Sequence, residues 1–233
     1  MIRLITALCR ITLPELFRTP IYSVPTVVFP AMLFTFFAAP SGASLTRVAT
    51  LMTTSFAVYA VVGVGFYQFG VGIAQDRESA WETFTRTLPA PAFPRIFARV
   101  ISAFVFAGIA AALVVAVAYV LASPKFTIVS GMALAVALAA GLVPFALFGV
   151  ALRYLSSGKA AVAQANLIFL LLAYIGGLWV LPHRLPDAVA QISPFTPTRQ
   201  FADLAWAATT DIPLALTPVL GLPVRQKQAR HGI

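Results

Sequence analysis

The feature that most constrains this chain is a series of long stretches without one Asp, Glu, Lys or Arg. A helix needs about 20 mainly apolar residues to cross the ~30 Å hydrocarbon core of a bilayer. Inside that core every backbone N–H and C=O must be satisfied by the structure itself, which favours helices. Five stretches meet the requirement: 21–39, 48–74, 100–121, 126–152 and 160–180. Charged residues make up only 10% of the 233-residue chain, against about 25% in a soluble domain. The expectation is therefore an all-α polytopic membrane helix bundle forming one domain over residues 1–233.

The second and fourth stretches exceed what a bilayer requires, at about 40 Å each for 1.5 Å per residue. They should tilt or project from the membrane. A sixth candidate, 212–224, is interrupted by Pro213, Pro218 and Pro223, and as a straight helix it reaches only ~20 Å. The region before it, 181–210, alternates Pro182, Pro186, Pro194 and Pro197 with amphipathic pieces at 188–192 and 199–208. It reads as an external re-entrant region of short helices, lying at the surface or dipping partway in, where protein or water satisfies the backbone.

The distribution of Lys and Arg between alternate connections sets the orientation. Twelve of the sixteen fall on one side: Arg3, Arg10, Arg18, Arg77, Arg86, Arg95, Arg99, Arg153, Lys159, Arg225, Lys227 and Arg230. Arg47, Lys125, Arg184 and Arg199 fall on the other. The first side is read as cytoplasmic, with the N-terminus on it; the C-terminal tail joins it only if the sixth segment crosses. The net charge of +9 thus reports orientation, and no nucleic-acid partner is expected.

The first nineteen residues lack the uninterrupted apolar core and small-residue cleavage site of a signal peptide. Arg3, Arg10 and Arg18 share one face of a helical wheel, while Leu4, Ile5, Leu8, Ile11, Leu13, Leu16 and Phe17 fill much of the rest. This reads as an interfacial amphipathic helix, interrupted at Pro14, whose arginines anchor it among lipid headgroups.

No residue set points to catalysis, a metal or a bound cofactor. His183 and His231 are far apart in sequence, and Cys9 is the single cysteine. Gly158 and Lys159 fail as a phosphate loop because Arg153 and Ala160 stand where that loop needs Gly and Ser or Thr. Proton and ion relays place ionisable groups within the spans, and none is found there. The spans carry hydroxyl, amide and aromatic groups instead, among them Thr53, Thr54, Ser55, Tyr59, Tyr67, Gln68, Ser102, Tyr119, Gln164, Asn166 and Tyr174. These suit either ordinary helix packing or a path for an amphipathic molecule.

The densest charge cluster lies in 75–99. Residues 76–87 suit a short amphipathic helix with Ala80, Trp81 and Phe84 on one side and Arg77, Glu78, Glu82 and Arg86 supplying charge. Leu88 to Pro91 stop it. It reads either as a knob that docks into a groove on a soluble partner or as a solvated connector.

Three stretches resemble the ABC-2 type permease family, the membrane subunits of ATP-binding-cassette exporters. Glu15, Leu16, Phe17, Arg18, Thr19, Pro20, with Val28, Phe29 and Pro30, are similar to the family's basic lead-in and first span. Gly72 to Glu78, with Trp81, Glu82, Leu88 and Pro89, are similar to the loop bearing its coupling helix. Gly176, Gly177, Leu178 and Trp179, then Leu185, Pro186 and Ile192 to Pro197, are similar to the end of its fifth span and its external segment. Ser79 and Ala80 depart from the glycine usual after the acidic pair, and the segment after Asp211 is shorter than the family's sixth span.

The resemblance implies a plasma-membrane exporter subunit for a hydrophobic or amphipathic compound such as a drug, lipid or glycolipid. It implies a second permease subunit, identical or homologous, and cytosolic ATPase subunits that carry the ATP and Mg; none of that chemistry falls on this chain. Glu78, Trp81, Glu82 and Arg86 would transmit ATPase movement. Arg3, Arg10 and Arg18 would anchor the lead-in helix, and Tyr59, Phe66, Asn166 and Phe169 would line the substrate path. Two rival classes are a secondary carrier, disfavoured by the uncharged spans and by the lack of paired broken helices, and a non-transporting membrane scaffold or assembly protein.

Overall fold

The computed structural model describes residues 2–18, 23–38, 46–73, 92–155 and 158–210. Among the described residues there is no strand, and the elements form an all-α bundle. Helix α1 is Ile2–Arg18. Helix α2, Phe29–Leu33, is flanked by π-turns Val24–Val28 and Phe34–Ala38. Helix α3, Thr46–Gly65, continues into a π-turn, Phe66–Val71. Then come α4, Ala92–Leu121, α5, Ile128–Leu155, and α6, Gly158–Ile175. Two short helices close the order, α7 at Asp187–Ile192 and α8 at Pro197–Thr209.

Among the described residues, three helices are long and apolar enough to cross a membrane: Thr46–Val71, Phe93–Leu121 and Ile128–Leu152. They coincide with the second, third and fourth expected spans. The first and fifth hold the shorter apolar helices Thr26–Ala38 and Val162–Ile175, and the sixth candidate lies outside the described residues. A helix apolar on all sides belongs inside a bundle, and α3 obeys this. Its most apolar window is 89% buried against 39% for α4 and for α5, and it touches α2, α4, α5, α6 and α8.

Helix α5 approaches the end of α3 closely through glycines. A Cβ on Gly149 of α5 would lie 2.6 Å from the Gly65 carbonyl oxygen and 2.9 Å from the Gly70 N. Small residues let backbones approach in this way where lipid supplies no hydrophobic drive between helices. The π-turn after α3 sits at this contact.

Two sequence expectations are corrected. Helix α1 is not interrupted at Pro14. The proline is on the exposed side, where the Arg10 carbonyl that loses its donor can be satisfied from outside. Helix α4 begins at Ala92, so Arg95 and Arg99 are helical and do not belong to the preceding loop. Pro94 permits this because it falls in the first turn, where backbone N–H groups have no intrahelical partner.

Helix ends follow local chemistry. Helix α5 opens on a reciprocal cap in which Ser130 N donates to Thr127 Oγ1 (3.1 Å) and Thr127 N donates to Ser130 Oγ (2.9 Å). Helix α6 ends in a Schellman motif. Gly177 has φ +74°, its N–H donates to Tyr174 O (3.0 Å), and Leu178 N–H donates to Ala173 O (3.0 Å). That turn stops the helix short of residue 180 and delivers Trp179 to the bundle.

Candidate functional site

The candidate site grows from Gly63. With no side chain there, the Phe169 ring of α6 packs onto α3; a Cβ would meet Phe169 Cζ at 3.3 Å. Phe169 then lies 4.6 Å from the Tyr59 ring and 6.0 Å from the Phe66 ring, centroid to centroid. Tyr67, in the π-turn, meets Phe169 edge-on at 6.3 Å, and its hydroxyl hydrogen-bonds Asn166 Oδ1. Of the four residues expected to line a path, Phe169 meets Tyr59 and Phe66 directly, and Asn166 is joined to them through Tyr67. They form a filled cluster, with Tyr59, Phe66 and Phe169 each no more than 4% exposed.

The cluster extends toward the end of the bundle that carries Lys125. Trp179 lies 5.9 Å from Tyr59, and Phe37 of the second π-turn stacks on Trp179 at 6.4 Å. Phe37 is exposed and Trp179 half-buried, so the cluster reaches the bundle surface past these two rings. The Tyr59 hydroxyl and the Trp179 Nε1 are buried and have no hydrogen-bond partner.

A second set of polar contacts ties α8 into the bundle. Thr54 and Ser55 each donate to the carbonyl four residues back, at 2.9 and 3.0 Å. Trp206 Nε1 donates to Ser55 Oγ (2.9 Å), and Thr54 pairs with Thr209 (3.1 Å). At the start of α8 the Thr196 side chain caps Arg199 N, and Thr198 Oγ1 donates to Leu172 O of α6 (2.7 Å). Arg199 pairs with Asp203 (2.8 Å) and lies 5.2 Å from the Trp206 ring. Burial pushes the Asp203 carboxyl above its ordinary value, and the Arg199 guanidinium beside it pulls it back down. These hydroxyls serve packing, one of the two readings their sequence allowed. The same contacts place α8 against α3, α5 and α6.

Arg3, Arg10 and Arg18 are exposed on α1, while Leu13 and Leu16 pack against the core, and the partly exposed Phe17 ring lies 4.5 Å from that of Phe106 of α4, tilted against it. Glu78, Trp81, Glu82 and Arg86 lie outside the described residues. A sequence reading that singles out Ser55 still misses its partner Trp206, because a Trp far along the chain gives no hint that its N–H reaches a span. Gly63 left no signal of its own, because Gly65, Gly70 and Gly72 share its span.

No family model matches the chain. Over 152 residues it is 23% identical to a protein of Bacillus subtilis (strain 168) named "Putative transport permease YvfS". The matched segment is 65% of this chain and 62% of that relative's length. No solved structure matches.

Proposed function

We propose that this chain is the permease subunit of an ABC-2 type exporter, moving a hydrophobic or amphipathic compound across the cytoplasmic membrane, with ATP bound and hydrolysed on a separate cytosolic subunit. The observation that carries this reading is the similarity to a named transport permease over 65% of the chain. The all-α bundle and its three membrane-length helices support it. The N-terminus and the 74–91 loop face the cytosol, and a second permease subunit completes the path.

The coupling route follows from connectivity. Residues 74–91 connect the segment that ends the buried helix α3 and its π-turn to the start of α4. A partner that grips Glu78, Trp81, Glu82 and Arg86 would pull directly on the π-turn Phe66–Val71. That turn pivots on the Gly65, Gly70 and Gly149 contact and carries Tyr67, which touches Asn166 and Phe169. Closure of the ATPase pair would shift the balance between two arrangements of the aromatic cluster by binding one loop position more tightly. Arg3, Arg10 and Arg18 would hold α1 at lipid headgroups while α3 moves.

The test is co-expression with an ATPase subunit, sought first in adjacent reading frames. The expected result is a complex that co-purifies and hydrolyses ATP, while this chain alone hydrolyses none. Sustained hydrolysis by the isolated chain, or failure to form a complex with any ATPase of the same operon, would count against it.

A further inference from the structure

The Tyr59 hydroxyl and the Trp179 indole N–H are two of the three buried side-chain polar groups, Ser193 Oγ being the third, that lack a hydrogen-bond partner among the described residues. Both are buried without a hydrogen-bond partner, and their rings are 5.9 Å apart. Leaving a buried donor unsatisfied is costly, on the order of 1–3 kcal/mol, and native interiors rarely tolerate it. Nearby hydroxyls on the same helix are satisfied, since Thr53, Thr54 and Ser55 all reach a carbonyl four residues back. The Tyr59 hydroxyl thus stands apart from these neighbours on α3, and the adjoining Trp179 indole shares its unpaired state.

From these observations we infer that Tyr59 and Trp179 form a two-donor site for an uncharged carbonyl oxygen on an amphipathic molecule. This inference rests on the permease reading and names the substrate class for its aromatic cluster. The indole N–H can only donate and the phenol can donate as well, so an acceptor atom is what answers both. The segments 48–73 and 160–182 contain no charged residue, so an anion would find no neutralising partner on either. A cation could face the phenol oxygen but would leave the indole N–H unanswered. The surrounding rings of Phe37, Phe56 and Phe169 suit an apolar body attached to that oxygen. Access runs past Phe37, which is 47% exposed and stacks on Trp179.

An ester carbonyl can come from a membrane acylglycerol or from a free exported compound, and one experiment separates them. The full chain is placed in bilayer discs of ether-linked phospholipid, which offers no ester. A radiolabelled long-chain alkyl ester and the ether of equal length are then compared in equilibrium binding. The expected result is a roughly tenfold preference for the ester, which falls to about twofold or less in Tyr59→Phe and in Trp179→Phe. Both substitutions keep an aromatic ring, so the fold is retained and is checked by the unchanged melting of the Tyr59→Phe protein. Repeating the measurement in ester-linked discs tells the sources apart. Competition by the lipid marks the acylglycerol as occupant, undiminished binding marks the free compound, and either outcome upholds the donor site. Equal binding of ester and ether, as when a water alone fills the site, or an ester preference that survives Tyr59→Phe, overturns it. Neither result bears on ATPase association, so the permease reading stands or falls separately.

Discussion

Replacing Gly149 with leucine is expected to leave almost no folded protein. Even the first carbon of a side chain would sit 2.6 Å from the Gly65 carbonyl oxygen and 2.9 Å from the Gly70 N. Those neighbours are backbone, so no rotamer change relieves the clash, and α5 must move off α3. Ordinary overpacking costs about 1–3 kcal/mol, and a displaced helix pair also loses the packing of Phe145 against Phe66 and Phe201. The loss should be visible as aggregation on size-exclusion chromatography in detergent and as a melting temperature lowered by 10 °C or more, roughly, given several kcal/mol lost in a chain of this size. Gly108, which has nothing within 4 Å of a would-be Cβ, is the control: Gly108→Leu should fold normally.

The contrast between these two glycines shows what the sequence can and cannot carry. Uncharged length marked α3, α4 and α5 correctly, because the bilayer's thickness imposes it. The boundary of α4 was misjudged because Arg95 and Arg99 look like loop residues by charge, while the backbone only asks where Pro94 falls in the first turn. Pro14 was read as a break because sequence does not show which side of α1 faces out. The aromatic cluster was partly legible. Tyr59, Phe66, Asn166 and Phe169 were paired across spans two and five by the family resemblance; Phe169 meets Tyr59 and Phe66 directly, and Asn166 is joined to them through Tyr67. The part played by Gly63 in seating Phe169, and by Trp179 in closing the cluster, depends on helix register and on a Schellman turn. The register is fixed by packing between residues more than a hundred positions apart, such as Gly63 and Phe169, while the turn is local but its consequence for Tyr59 appears only once the helices pack.

The second large effect concerns energy coupling. Under the proposed function, Trp81→Ala should reduce co-purification of the ATPase roughly ten- to thirtyfold, because a buried aromatic anchor in an interface is commonly worth 2 kcal/mol or more. Glu82→Ala or Arg86→Ala should cost far less, since exposed charge pairs contribute only about 0–1 kcal/mol. The variants are compared by pull-down at fixed ATPase concentration, with the Trp81→Ala protein first shown to melt like the parent. Equal retention by all three would place the contact elsewhere on the bundle.

The claim that everything else depends on is that the loop between α3 and α4 faces the compartment that holds ATP. Cys9 is the single cysteine, so a Cys9→Ser, Ser79→Cys chain carries one thiol in that loop and reports its side of the membrane. A membrane-impermeant maleimide is expected to label it in inside-out vesicles stripped of peripheral proteins and to leave it unlabelled in intact cells. Labelling in intact cells, with none in the vesicles, would contradict the assignment.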